Sequence, residues 1–267
     1  MAKRITTSNI TYKITLDSLA NVIDKIKDLT KLDKRVLLKF DNNDLLLYSM
    51  VGKNNGIHGF KNHILKIKDI FSSIKGEIEE DNLKYSIEDA KRFVTSIIVF
   101  VKYMKSQGIE DELTFKLTYN DDNFVEKLLI QNKKSKEETM GGDPSCFTQA
   151  IDIEQINDAM DIDQSEYSFS LKKEDFDYIK SKTIIEKDND ILYLNVKDNK
   201  INIGENRWEH NICDIEGVED TTISFPKRYF KCINYDNTNE MILYVFDTFI
   251  LVKGDNTNLM IAIELTL

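Results

Sequence analysis

The chain has 267 residues, 41% of them hydrophobic, 31% charged, with a net charge of -10. This is enough for one large domain or two ordinary ones with real cores, and it describes a soluble, acidic, intracellular protein. Three cysteines without Cys-x-x-Cys spacing exclude a disulfide framework, and the most apolar window, "FVTSIIVFV" at 93–101, is half the length of a membrane span. The opening "MAKRITTSNITYK" has positive charge but no apolar stretch behind it, so no signal peptide is expected, and two prolines and ten glycines leave no flexible linker.

In chain order, residues 15–32 predict a first helix, with Leu19, Val22, Ile23, Ile26 and Leu29 on one stripe. "RVLLKFDNNDLLLYS" from Arg35 follows: an alternating run, an Asx-rich turn and a second alternating run, which reads as a hairpin. Two strand-like runs, "NHILKIKDIF" and "LKYSI", come next. Residues 86–108 predict a second helix, capped by Ser86 with Asp89 as a weak capping-box partner and ended by Gly108. "ELTFKLTYNDDNFVEKLLI" from Glu112 is the second hairpin.

A third helix is predicted at 172–186, with Phe176, Ile179 and Thr183 inward, before a third hairpin, "ILYLNVKDNKINIG", at 191–204. The runs "RWEHNICDI" and "TTISF" lead to a fourth helix at 225–234, where Pro226 suits a first turn. "EMILYVFDTFILVKG" from Glu240 is the fourth hairpin. Helix then hairpin therefore occurs four times, a tandem duplication of a duplicated unit whose halves meet near residues 145–166. The fold class is α+β, with antiparallel sheets and helices on one face.

Charge is partitioned along this pattern. Segments 13–34, 88–105, 171–187 and 226–236 hold 17 Lys and Arg against 11 Asp and Glu, a net +6, while the remainder carries -16. Such a partition suits a protein that presents one surface to a polyphosphate, although Lys is also simply a good helix former.

Catalytic constellations are missing. His58, His63 and His210 are the only histidines, and the first two are five residues apart, a poor spacing for one face of a helix or strand. There is no P-loop, dinucleotide fingerprint or nucleophile elbow, and "GGDPS" at 141–145 has the residues of a turn. The acidic runs "EIEED" at 77–81 and "DIDQSE" at 161–166 are metal ligands or ordinary surface loops, and neither has EF-hand spacing. No enzyme activity, metal or cofactor is expected.

The organisation resembles that of the sliding clamps of DNA polymerase, of the two-domain, proliferating-cell-nuclear-antigen (PCNA) type. "AIDIEQI" at 150–156 and "QSEYSFSL" at 164–171 are similar to the family's interdomain connector and the first strand of its second domain. "LLYSMVGKNNGIHGF" resembles the loop after the first hairpin, "TISFPKRYF" the entry to the last helix, and "FILVKGDNTNLMIAIEL" the closing hairpin. The likeness covers the chain in order.

The resemblance implies the DNA clamp fold: a domain at 8–149, a connector at 150–166 and a second, similar domain at 167–267. Each domain would set two helices on the inner face of antiparallel sheets, and three chains would close a pseudo-six-fold ring around double-stranded DNA. Lys27, Lys102, Lys105, Lys180, Lys182, Arg228 and Lys231 are the implied phosphate contacts, independent of base sequence. The subunit joint would pair an edge holding Cys146, Phe147, Thr148 and Ala150 with one holding Arg207, Trp208, His210 and Ile212 of the next copy.

Short peptides of DNA polymerase, clamp loader and other replication and repair proteins would enter a pocket of Met50, Ile57, Ile156, Ile162, Ala262 and Leu265. Alternatives are a subunit of a heteromeric ring and a viral clamp-fold scaffold that does not encircle DNA. The implied location is the nucleus in a eukaryote, otherwise the cytoplasm or a viral replication site.

Overall fold

The structure is a computed structural model that describes residues 8–41, 43–53, 56–76, 83–109, 112–142, 156, 158–185, 190–235, 238–254 and 256–265. The chain divides into two compact units, Met1–Met50 with Asn62–Gln149 and Val51–Lys61 with Ala150–Leu267. Within each, one motif occurs twice: a strand, a helix and an antiparallel three-strand meander.

The first motif runs through β1 (Ser8–Ile14), α1 (Leu16–Leu29), β2 (Val36–Phe40), β3 (Asp44–Lys53) and β4 (Gly56–Lys66). After a one-turn helix, α2 (Ile67–Ile70), and β5 (Phe71–Lys75), the second runs through β6 (Leu83–Ile87), α3 (Ala90–Ser106), β7 (Leu113–Tyr119), β8 (Val125–Gln131) and β9 (Lys136–Met140). The two motifs exchange their opening strands: β1 pairs with β7 and β6 pairs with β2, all antiparallel. One sheet has the order β5-β1-β7-β8-β9, and β3, β2 and β6 are neighbours in another.

The other unit repeats the plan. Its motifs are β10 (Tyr167–Lys172), α4 (Lys173–Ile185), β11 (Ile191–Lys197), β12 (Lys200–Glu205) and β13 (Trp208–Asp214), then β14 (Thr221–Pro226), α5 (Lys227–Phe230), β15 (Glu240–Val245), β16 (Phe249–Lys253) and β17 (Thr257–Ala262). β10 pairs with β15 and β14 with β11, the same exchange, and a short β18 (Glu264–Leu265) closes on β14. The sheet orders are β13-β12-β11-β14-β18 and, in the other sheet, β10-β15-β16-β17. The four helix–hairpin repeats expected from the sequence are therefore four strand–helix–meander motifs.

Local chemistry explains the elements. The β11–β12 hairpin turns on Asp198 (φ 51°) and Asn199 (φ 60°), two residue types that tolerate the left-handed backbone of a two-residue turn. Thr15 caps α1 by accepting from the Ser18 amide at 3.1 Å, and α3 ends at Gly108 with φ +63°. The expected cap at Ser86 is corrected: Ser86 is still in β6, opposite Leu37, and Asp89 accepts from the Arg92 amide at 3.0 Å instead. In the first unit the stripe Leu19, Val22, Ile23, Ile26 and Leu29 is buried with Phe93, Val94, Ile97, Phe100, Val101 and Met104 of α3. Tyr12, Phe40, Phe71 and Phe115 add an aromatic cluster, with Tyr12 and Phe71 centroids 4.4 Å apart. Burial of each such side chain stabilises by about 1.5–3 kcal/mol.

Two sequence expectations give way. The helix expected at 225–234 is one turn, α5, and Tyr229, Phe230, Cys232 and Ile233 are all buried. The chain tightens into three-residue steps there (Cys232 N to Tyr229 O, Ile233 N to Phe230 O), and the buried Lys61 ammonium donates to the Cys232 carbonyl at 2.7 Å. The run "NHILKIKDIF", read as one strand, is broken by α2, where Ile67 and Ile70 turn inward.

Candidate nucleic-acid interface

The helices decide where charge reaches solvent. In α3 the buried positions 90, 93, 94, 97, 100, 101 and 104 recur at helical spacing and leave an exposed arc of Lys91, Arg92, Thr95, Val99, Lys102, Tyr103 and Ser106. The helix, AKRFVTSIIVFVKYMKS, has no carboxylate in its 17 residues. On the α1 side of α3, Lys105 Nζ lies 2.9 Å from Asp17 Oδ1, which joins the two helices end to end. The exposed arc of α1 is different: Asp17, Asn21 and Asp24 flank Lys27. Asp28 turns inside, 2.9 Å from Nε2 of the buried His63 on β4 and 2.7 Å from Lys31 Nζ.

In the other unit, α4 buries a narrow stripe of Phe176, Ile179 and Thr183. Lys180 and Lys182 are half-buried on the flanks of this helix, 5.4 Å over the Phe176 ring and 5.6 Å over the Tyr178 ring. Lys173 is tied to Asp177 at 2.6 Å, and the exposed arc holds Tyr178, Ile184 and Ile185, the last 73% exposed. Beyond it, Arg228 is exposed, stacks 4.6 Å over Tyr229 and donates to its hydroxyl, while Lys231 is half-buried in the turn after α5. The neighbouring Lys227 is buried in a 2.8 Å pair with Glu205.

β13 is the last strand of its sheet among the described residues. Trp208, His210 and Ile212 are half-buried on one side of it, and Arg207 is exposed in the preceding turn. His210 Nε2 lies 2.7 Å from Asp175 Oδ1 and its ring packs at a tilt 4.6 Å from that of Tyr178, so α4 fixes the edge strand. Gly204 permits the close approach of β13: a Cβ there would meet the Trp208 carbonyl oxygen at 2.1 Å. The opposing edge residues Cys146, Phe147, Thr148 and Ala150 lie outside the described residues.

Of the residues named for a peptide pocket, Met50 is buried on β3, in the first unit. Ile57 and Ala262 are half-buried and stand on neighbouring strands, β4 and β17. Ile156 is buried, Ile162 is half-buried in a 3-10 turn, and Leu265 lies opposite Ile223 in the β18 pairing. The carboxylate of Asp161 accepts from the Asp163 amide, which gives the acidic run at 161–166 a turn-capping role. The run at 77–81 lies outside the described residues. Among the described residues no cluster of three or more His, Cys, Asp or Glu could hold a metal. Burial, with Asp214 and Asp175 behind it, pushes the Cys213 thiol up, the opposite of an activated nucleophile.

Two features escaped sequence reasoning. Arg92 joins the cationic arc of α3, and the acid-free composition of that helix was a signal for it. Tyr178, Ile184 and Ile185 reach solvent because the buried stripe of α4 is only three residues wide, which the apolar run "TII" disguised.

No protein-family model matches the chain, and no curated protein matches it in sequence. Solved structures do match. The DNA polymerase III beta chain of Streptococcus pneumoniae is 12% identical, with a TM-score of 0.62 over 96% of this chain and 65% of that one. The beta subunit of Pseudomonas aeruginosa is 9% identical, with a TM-score of 0.63 over 95% of this chain and 64% of that one. The Helicobacter pylori beta clamp bound to a DNA ligase peptide is 12% identical, with a TM-score of 0.60 over 97% of this chain and 66% of that one. The chain has the sliding-clamp fold, α+β with antiparallel sheets, and spans just under two thirds of the length of these clamps.

Proposed function

We propose that this chain is a DNA sliding clamp without catalytic activity, three copies of which close a ring around duplex DNA and hold a polymerase to it. The observation that carries the reading is the acid-free cationic arc of α3 on a clamp fold whose net charge is -10. Nucleic acid is attracted to one surface and repelled by the rest, and phosphate contacts that ignore the bases let a ring slide. Lys27, Lys102, Lys105 and Arg228 reach solvent for that role, and Lys180, Lys182 and Lys231 stand at the margins.

Self-assembly has its own support. Among the described residues β13 is the edge strand of its sheet, and α4, which holds that strand through Asp175 and His210, exposes Ile184 and Ile185. An edge of this kind pairing with a different edge of the next copy makes a head-to-tail contact, the geometry from which a ring closes. Domains at 8–149 and 167–267 with a connector at 150–166 give two ring segments per chain, and six segments require three chains. The joint would pair Cys146, Phe147, Thr148 and Ala150 with Arg207, Trp208, His210 and Ile212.

A peptide-bearing neighbour, the clamp bound to a DNA ligase peptide, supports a partner pocket of Met50, Ile57, Ile156, Ile162, Ala262 and Leu265 for polymerase, loader and repair proteins. Topological retention tests the function without any loader, since a ring can thread over a free end. Protein mixed with linear duplex whose ends are then blocked should survive a high-salt wash, and protein on the same duplex with free ends should run off. Equal retention on both, or on neither, contradicts encirclement.

A further inference from the structure

We infer that α3 carries the grip on nucleic acid, so that a ring of three chains meets the duplex chiefly at three places, one per chain, rather than evenly through every helix. The inference rests on the clamp reading above and concerns how that surface is distributed. Lys91, Arg92 and Lys102 lie on one exposed arc with Thr95, Val99, Tyr103 and Ser106, and the helix itself holds no carboxylate. The acids near it are Glu88 and Asp89 before its first turn and Glu137 of β9, which Ser96 engages at its edge. Lys91 to Lys102 spans about 16 Å of helix, a length over which one DNA strand carries about five phosphates. Lys105 sits at the margin, and its 2.9 Å contact neutralises Asp17, the carboxylate that α1 brings nearest to the arc.

No other helix offers the same. On α1, Asp17 and Asp24 share the exposed face with Lys27, so a phosphate approaching Lys27 also meets two negative charges. On α4, Glu174 and Asp177 stand on the exposed face and offset Lys173. Lys180 and Lys182 lie over aromatic rings on the flanks, and Tyr178, Ile184 and Ile185 take up much of the rest. α5 is a single turn whose Lys227 is buried against Glu205. A lysine that already faces a carboxylate exchanges one anion for another on binding and leaves the carboxylate behind, so it adds little affinity. Unpaired cations release counterions from DNA and add to affinity in full. Charge complementarity thus selects a polyanionic duplex for the α3 face.

Fluorescence anisotropy of a labelled DNA duplex, measured over a range of salt, tests this with three full-length proteins: wild type, K91E/K102E and K180E/K182E. The expected result is a loss of at least about tenfold in affinity and a shallower salt dependence for the α3 pair. The loss for the α4 pair should be at least about fivefold smaller. Circular dichroism and native mass accompany each variant, and K91Q/K102Q, which removes charge without reversing it, replaces the Glu pair if that pair fails to fold. Equal losses for the two pairs, or a larger one for α4, overturn the inference while DNA binding stands. A wild-type chain that binds no duplex even at low salt overturns the clamp reading itself, and this inference with it.

Discussion

Glu166 is hydrogen-bonded to Asp247, and this contact, with burial and the negative charge of Asp247 behind it, raises the Glu166 carboxyl above the usual carboxylate range. A raised acid holds its proton more tightly folded than unfolded. Its stabilising contribution is therefore complete below the unfolded pKa and is lost as pH rises through the folded one. Glu166→Gln keeps a donor at every pH, so its Tm should match wild type at acid pH and exceed it by about 1–3 °C at neutral pH. A difference that does not change with pH would contradict the shared proton. The same scale shows why counting charges along helices overstated what they offer. Lys31 faces Asp28, Lys105 faces Asp17, Lys173 faces Asp177 and Lys227 is buried with Glu205. Which lysine meets which carboxylate depends on partners as far as 88 residues away, and no local pattern carries that.

At the scale of elements, alternation was legible wherever a strand had one wet face: β10 and β11 bury every second residue. α1 and α3 were legible because their stripes are wide and continuous. α5 was not, since buried neighbours at 229, 230, 232 and 233 read as helical in sequence yet pack as one turn. Of the third strands, β13 was read as the run "RWEHNICDI", whereas β9 went unread because it has no fully buried side chain to mark it. α4 gave its stripe correctly and hid its exposed isoleucines. Those residues make a prediction about assembly: Ile184→Asp with Ile185→Asp should weaken self-association by about 30-fold or more, as loss of an interface anchor does, with Tm of the separated chain unchanged. Sizing across a dilution series checks it, and an unaltered association constant would remove α4 from the joint.

At the scale of the whole molecule, a fourfold repeat can be read from one sequence because each motif is a local event of about forty residues. The exchange of opening strands cannot, since β1 with β7 and β6 with β2 are pairings across motifs that no hairpin signal encodes. The fold likeness at 9–12% identity has the same origin: layering and strand order persist where side chains have been replaced. The chain spans 65% of the Streptococcus pneumoniae beta chain, and the proposed ring is built from three copies of it. That count is the central claim. Native mass by light scattering behind a sizing column, over a wide concentration range, measures it directly. The account predicts a species of three chains that persists on dilution into the low micromolar range. A monomer at every concentration, or a closed dimer, would contradict it.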